Sequence, residues 1–408
     1  MELTNKNVLV YGTGISGISA YKFLLGKGAN VFMYADRKPE NNEINNFIDN
    51  FKKVLEIKFD YVILSPGVTI IGNKNINKLK KTGALILSEL ELGYLFCKGK
   101  FIAVTGTNGK TTCVCLLNHI LKSKYKTFLC GNVGTPITSI ADQTSDDCIV
   151  IAEVSSFMLE IISPNFKPDV ALLLNITPDH ISRHKTFDAY VKAKMEITRY
   201  QNKNDYLLIP DELKNVETEA QKIIIYSKNY KSNLVGDFNN LNIAFCEKVT
   251  QIFEISSKNF KKSLKTFTPV PYRIEKLGKK RGITYINDSK STNPDSCVKA
   301  IRAMKKPAVV LLGGSDKGNT FTEIFKNFNN IKLAIIYGQT ADILESDALS
   351  CGFTKIAKFE NLHMALSHLN EFVKRGDVVL FSPACASYDE FKHYMERGAF
   401  FSKYFDEL

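Results

Sequence analysis

The chain has 408 residues, 44% of them apolar and 24% charged, with a formal charge of +12 at pH 7. That length predicts two or three domains of about 100 to 200 residues, and with no apolar run near the roughly 20 residues of a membrane span and no signal-peptide core after Met1, a cytoplasmic enzyme is expected. The lysines form no basic block and the nine cysteines no metal-ligand spacing, so nucleic acid is not an expected partner and the cysteines read as reduced, buried thiols.

Strand and helix patterns alternate from the start. An apolar run at 8–11 leads into Gly12-Thr-Gly14-Ile-Ser-Gly17, which opens a helical pattern, and the next run, 31–34, ends close to Asp36. Glycines at such a turn admit a pyrophosphate, and an acid about twenty residues on can bond a ribose. A nicotinamide dinucleotide and another diphosphate nucleotide both fit this pattern. A third run, 61–65, ends in Ser65-Pro-Gly67. The helical pattern closing on Tyr94-Leu-Phe-Cys97 meets the polar break Lys98-Gly-Lys100, where the first domain boundary is expected.

The run 101–105 then enters Val104-Thr-Gly-Thr-Asn-Gly-Lys-Thr-Thr112 ahead of a helical pattern. Small residues let backbone N–H groups converge on phosphate oxygens, Lys110 can reach the terminal phosphates, and the Thr111 hydroxyl can hold Mg²⁺. The loop is shorter than the usual P-loop, with Gly106 as its first glycine. Further runs at 148–153, 170–175 and 206–209 end beside Glu153-Val-Ser-Ser-Phe157 and Asn175-Ile-Thr-Pro-Asp-His180, with Gly131-Asn-Val-Gly134 before them. Strand ends of a parallel sheet share one crevice, so Glu153 is a candidate Mg²⁺ ligand and His180 a second-site ligand. A helix cap and a turn residue are the plain alternatives, and Lys194 on the following helix reads by itself as solvated.

Two prolines in Thr266-Phe-Thr-Pro-Val-Pro-Tyr272 disfavour helix and mark the second expected boundary. Apolar runs resume at 283–286, 308–312, 333–337 and 378–381, which makes the chain α/β with several doubly wound sheets. Three polar segments follow these runs: Tyr285-Ile-Asn-Asp-Ser-Lys-Ser-Thr-Asn293, Leu312-Gly-Gly-Ser-Asp-Lys-Gly318 and Ser382-Pro-Ala-Cys-Ala-Ser-Tyr388. All three can line one strand-end site, or each can be an ordinary turn.

These motifs in this order resemble the Mur ligases, ATP-dependent amide-forming enzymes of bacterial cell-wall precursor synthesis, and among them the D-glutamate-adding branch. The likeness takes in the N-terminal glycine turn, the short loop 106–112, Gly131-Asn132, Glu153 to Phe157, Asp179-His180, Asn239 with Asn242, Arg273, 287–293, Gly313-Gly314 with Lys317, and Ser382 through Phe391 to Arg397-Gly398. The Asp-Asn-Pro-Arg motif of diaminopimelate- or lysine-adding relatives is absent. The resemblance implies three domains: residues 1–98, Rossmann-like and binding the uridine nucleotide; 99–268, a central P-loop ATPase-like parallel sheet; and 269–408, Rossmann-like and receiving the amino acid. It implies ligation of D-glutamate to UDP-N-acetylmuramoyl-L-alanine through an acyl phosphate, with ATP as cosubstrate. That route needs no protein nucleophile, which agrees with the lack of a Ser/His/Asp or Cys/His pattern.

Carried over by position, Ile15, Ser16, Asp36, Arg37, Ser65 and Asn132 would meet the UDP-linked substrate. Gly106, Thr107, Asn108, Gly109, Lys110, Thr111 and Thr112 would hold ATP phosphates, and Asn239, Asn242, Arg273 and Asp288 the rest of ATP. Thr292, Lys317, Ser387 and Tyr388 would face D-glutamate. The catalytic set would be Lys110, His180 and Lys194, with two Mg²⁺ sites drawing on Thr111, Glu153, His180 and Lys194, the last as a CO₂-derived carbamate. A monomer without a membrane span is expected. Phe238, Tyr272 and Tyr394 depart from the pattern, standing where histidine, histidine and phenylalanine are expected. A folylpolyglutamate synthase is the rival within the same chemistry, and a nicotinamide-dependent dehydrogenase the rival outside it.

Overall fold

Apolar runs bounded by glycine-rich turns become parallel strands buried on both faces, and the polar segments between them become strand-end loops. The computed structural model describes residues 1–36, 44–326 and 328–408, so Arg37 lies outside the described residues. Within them the chain forms two compact units, one of Met1–Ile176, Arg183–Tyr226 and Ile243–Ser263, the other of Thr177–Ser182, Ser227–Asn242 and Leu264–Leu408.

The first unit holds two sheets. One is built from β1 (Asn7–Tyr11), β2 (Asn30–Tyr34), β3 (Phe47–Ile48), β4 (Tyr61–Leu64) and β5 (Leu85–Ser88), in the order β3-β2-β1-β4-β5 and all parallel. The other is built from β6 (Lys100–Thr105), β7 (Thr127–Gly131), β8 (Ile149–Glu153), β9 (Val170–Leu173), β10 (Tyr206–Pro210) and β11 (Gln221–Ile225), in the order β11-β10-β9-β6-β8-β7, again all parallel. The strand order reverses beside β1 in one sheet and beside β6 in the other, which is where an open α/β sheet leaves a crevice for ligands. Val8, Val10, Val31 and Ile63 fill one core and Ala103, Val150 and Leu173 another, each fully shielded from solvent.

The second unit has one sheet: β12 (Glu275–Lys280), β13 (Ile283–Asn287), β14 (Ala308–Gly313), β15 (Ile331–Tyr337), β16 (Ile356–Lys358) and β17 (Val378–Ala384), in the order β12-β13-β17-β14-β15-β16. β12 runs antiparallel to β13 and the other pairs are parallel. The loops after β13, β14 and β17 therefore leave neighbouring strand ends on one edge. Asn293 caps the helix Pro294–Arg302 by accepting from Ser296 N–H, and the proline at the first turn spares a donor that a helix leaves unpaired anyway. All nine cysteines are free thiols, and among the described residues no helix is long and apolar enough to cross a membrane.

Candidate active site

β6 ends at Thr105, and the loop 106–109 turns directly into the helix Lys110–Leu121. Gly106 (φ 149°) and Gly109 (φ 91°) adopt backbone conformations that side chains disfavour, and a Cβ on Gly106 would stand 3.0 Å from Leu174 Cβ. Asn175, just past β9, clamps this loop. Its carbonyl accepts from Thr107 N–H (3.0 Å), its side-chain oxygen from Asn108 N–H (2.9 Å), and its amide donates to Asn108 O (2.9 Å). Lys110 Nζ donates to Gly106 O (2.7 Å) and Thr107 O (2.8 Å), which keeps the cation on the loop.

Thr111 opens the helix, and its hydroxyl donates to Glu153 Oε2 at 2.8 Å. Asn132 Nδ2 donates to the other oxygen, Glu153 Oε1, at 2.9 Å, so three residues from three strand ends meet at one buried carboxylate. Thr112 is buried, with its hydroxyl unpartnered. Lys194, only 1% exposed, brings Nζ to 2.8 Å from Gly106 O and 4.7 Å above the Tyr190 ring. The Tyr190 hydroxyl in turn lies 2.9 Å from Thr107 Oγ1. The lysine that looked solvated by sequence is thus buried against the loop after β6.

In the first sheet the glycine turn after β1 is dictated by contact. A Cβ on Gly12 (φ 113°) would reach 2.6 Å from Ser65 Cβ, and one on Gly17 would reach 1.9 Å from Gly12 O. Ile15 is exposed, Ser16 half-buried and Ser65 buried around this turn. Asp36 accepts from the hydroxyls of Tyr11 (2.9 Å) and Tyr34 (3.2 Å). Burial, with the Asp36 charge adding to it, pushes the Tyr34 phenol up to about 12. Arg183 joins Glu160 in two 2.8 Å contacts and donates to Val68 O at 3.0 Å, which ties the loop after Ser65 to the second sheet.

In the second unit Asn242 Nδ2 donates to Asn239 Oδ1 (3.0 Å), and Asn239 Nδ2 to Val235 O (2.7 Å). Asn239, Arg273, Val235, Phe267, Pro269 and Ile274 help line a cavity of about 440 Å³. Arg273 Nε is buried without a hydrogen-bond partner. Asp288 is buried and accepts from Ile274 N–H (3.0 Å) and Ser382 Oγ (2.7 Å). Burial pushes its carboxyl up to about 7.

His180 sits at φ 55°, with its backbone N–H on Asp179 Oδ1 (2.8 Å) and Nε2 3.6 Å from Asp179 Oδ2. Burial acts to raise the Asp179 carboxyl, yet Lys317, His180 and Asn293 Nδ2 (3.0 Å) hold it below its ordinary value. Lys317 Nζ donates to Thr292 O at 3.4 Å, Ser387 is buried, and Tyr388 is exposed. Two clusters result, Lys110, Thr111, Asn132, Glu153 and Lys194 in the first unit and Asp179, His180, Thr292 and Lys317 in the second. Sequence reasoning assigned no role to Asn175, Tyr190 or Arg397. Among the described residues no group of three or more His, Cys, Asp or Glu is arranged to hold a metal by itself.

Residues 104–269 match the Mur ligase middle domain and residues 272–385 the Mur ligase glutamate ligase domain. The chain is 34% identical to UDP-N-acetylmuramoylalanine--D-glutamate ligase of Lachnoclostridium phytofermentans, covering 100% of this chain and 99% of that protein. It is 36% identical to the protein of the same name from Thermoanaerobacter sp., covering 100% of both. The MurF ligase of Thermotoga maritima, solved in complex with ADP, superposes with a TM-score of 0.62 at 19% identity, over 100% of this chain and 96% of that one. Such matches define an α/β ligase. The chain belongs to the Mur ligase family.

Proposed function

We propose that the chain joins D-glutamate to the terminal carboxylate of UDP-N-acetylmuramoyl-L-alanine at the expense of ATP. The observation that carries this reading is the full-length identity, 34% and 36%, to ligases of that name. The layout proposed with it has residues 1–98 holding the uridine nucleotide, 99–268 holding ATP and 269–408 receiving the amino acid. Both nucleotide substrates are cytoplasmic metabolites, so the reaction is assigned to the cytoplasm.

A carboxylate does not yield to an amine until it has a leaving group. Its oxygen attacks the γ-phosphorus of ATP, the bond to the bridging oxygen breaks, and ADP departs. The amine nitrogen then attacks the acyl-phosphate carbonyl, inorganic phosphate leaves from the tetrahedral intermediate, and nitrogen loses a proton. Lys110 offsets charge on the phosphoryl group, and backbone N–H groups at the start of the helix Lys110–Leu121 serve its oxygens, those of Thr107 and Asn108 being held by Asn175.

Thr111 Oγ1 and Glu153 Oε2, 2.8 Å apart, are hard oxygen donors of the kind Mg²⁺ takes, with phosphates and water completing its shell. Magnesium bound there would neutralise charge on the transferring group. Lys194 is 1% exposed beside Gly106 O, and its amine, once deprotonated, would add CO₂ with release of a proton to give a carbamate. We assign that carbamate as a ligand of a second magnesium, and keep His180, in the second unit, as a separate candidate metal ligand. Asn239 and Arg273 are assigned to ATP through the cavity they line, and Thr292, Lys317 and Ser387 to D-glutamate.

The test is phosphate release from MgATP with UDP-N-acetylmuramoyl-L-alanine and, in turn, D-glutamate, L-alanine or a diamino acid, and with a folate in place of the uridine substrate. Turnover is expected with D-glutamate alone; turnover with another acceptor and not with D-glutamate would overturn the assignment. In the same assay Lys194→Ala should lose on the order of 100-fold in rate and regain part of it with added acetate. A fully active variant would remove the carbamate from the mechanism.

A further inference from the structure

We propose that Tyr394 is a positioning residue, whose hydroxyl holds the Lys290 ammonium at the carboxyl end of β13 for an anionic group of the substrates. Lys290 lies in the polar segment 287–293, three residues beyond the end of β13. Its Nζ donates to the Tyr394 hydroxyl at 2.9 Å and lies 4.6 Å from the centre of the same ring. The phenol thus meets the cation with a hydroxyl lone pair at the edge of its ring.

The backbone beneath both residues is fixed, so their meeting is built in. Ser289 Oγ donates to Tyr394 O (2.8 Å), and Asn287 Nδ2 to Gly398 O (2.8 Å). Arg397, 1% exposed on the first turn of the helix Tyr394–Glu407, donates to Ser289 O (2.9 Å), Ser289 Oγ (3.2 Å), Cys385 O (3.0 Å) and Ala386 O (3.1 Å). Lys290 N–H reaches Tyr272 O at 3.0 Å. What such anchoring leaves undetermined is the flexible lysine stem, and the phenol restrains it. The freedom a lysine gives up on gripping an anion is then surrendered in folding, which is how preorganisation strengthens binding.

The pair is suited to an oxyanion. Lys290 carries three N–H donors, and the bond to the phenol uses one of them. Thr292, two residues on, receives Lys317 Nζ on its carbonyl, so a second ammonium serves the same segment. A carboxylate of the incoming amino acid is the expected occupant, an assignment that rests on the ligase reading; a phosphoryl oxygen shares its chemistry. Phenylalanine, expected at position 394 from the family pattern, would supply the ring without the hydroxyl.

Tyr394→Phe isolates that hydroxyl. The expected result is a roughly 3- to 10-fold rise in KM for the amino acid, a fall in kcat no greater than twofold, and an unchanged melting temperature. The same rise in KM for ATP instead assigns the pair to a phosphoryl oxygen and keeps the positioning role. Unchanged KM for both, or a loss of activity that only tracks lowered melting temperature, overturns it. A second measurement needs no substrate: labelling of the folded protein with an amine-reactive reagent and peptide mapping at Lys290. Faster labelling of Lys290 in Tyr394→Phe than in the parent supports the restraint, and an equal rate rejects it, whatever amino acid the enzyme takes.

Discussion

Asp288 is 4% exposed, yet its two hydrogen bonds, from Ile274 N–H and Ser382 Oγ, do not offset the loss of water, and burial raises the carboxyl from 3.8 to about 7. Unfolded, the same group ionises near 3.8. Below that value both states are protonated and the residue adds no pH dependence. Between pH 4 and 7 the native state holds a proton that the unfolded chain has lost, so stability falls as pH rises, and above about 7 the penalty is constant. Asp288→Asn lacks this dependence. Its melting temperature relative to the parent should climb from pH 4 to pH 7 and then level off; a flat difference across that range would show that the parent carboxyl ionises normally. Sequence pattern could place Asp288 at a strand end, but not show its desolvation, because Ser382 and Ile274 reach it from other parts of the sheet.

Helix Glu89–Phe96 and the turn Ile137–Ser139 approach so closely that only glycine fits at position 93. A Cβ there would lie 2.4 Å from Ile137 Cγ2 and 2.9 Å from the Ile137 carbonyl carbon, and the buried Glu89 carboxyl, accepting from Thr138 N–H (3.0 Å) and Oγ1 (2.8 Å), keeps the turn from retreating. Gly93→Ala should therefore lower stability by about 1–3 kcal/mol in urea unfolding, and a variant as stable as the parent would mean that the turn yields. How legible an element was depended on its place in the sheet. Every interior strand was foreseen, whereas β3, β5, β7, β11, β12 and β16, the sheet edges, were not. An edge strand has water along one side, so β12 reads Glu-Lys-Leu-Gly-Lys-Lys with no apolar run, while β5 (Leu-Ile-Leu-Ser), β7 (Thr-Phe-Leu-Cys-Gly) and β11 (Gln-Lys-Ile-Ile-Ile) carry only short ones beside polar residues. The candidate site divides in the same way. Gly106 to Thr111, Glu153 and Asp288 lie at the ends of interior strands and were visible as motifs. Asn175, Tyr190 and Arg397 act through partners 67, 83 and 108 residues away, and no local pattern marks such pairings.

The first unit carries two points where strand order reverses, one beside the glycine turn after β1 and one beside the loop after β6, on separate parallel sheets. If the first takes the uridine nucleotide and the second ATP, each ligand should stabilise the unit in proportion to its own occupancy, by about 2.7 kcal/mol at a hundredfold excess over Kd. Lys110 donates to Gly106 O and Thr107 O in the loop after β6, so its removal should act on the increment assigned to that loop and leave the other. For Lys110→Ala, the rise in melting temperature with a magnesium-bound, non-hydrolysable ATP analogue should be largely lost, while the rise with UDP-N-acetylmuramoyl-L-alanine persists. Loss of both increments in a variant that melts like the unliganded parent would place the two nucleotides on one loop and sink the division of labour between the sheets. Persistence of both would instead take Lys110 out of nucleotide binding. With sites this distinct, the two increments in the parent should also add when both ligands are present, and any excess over the sum measures the coupling between the two crevices.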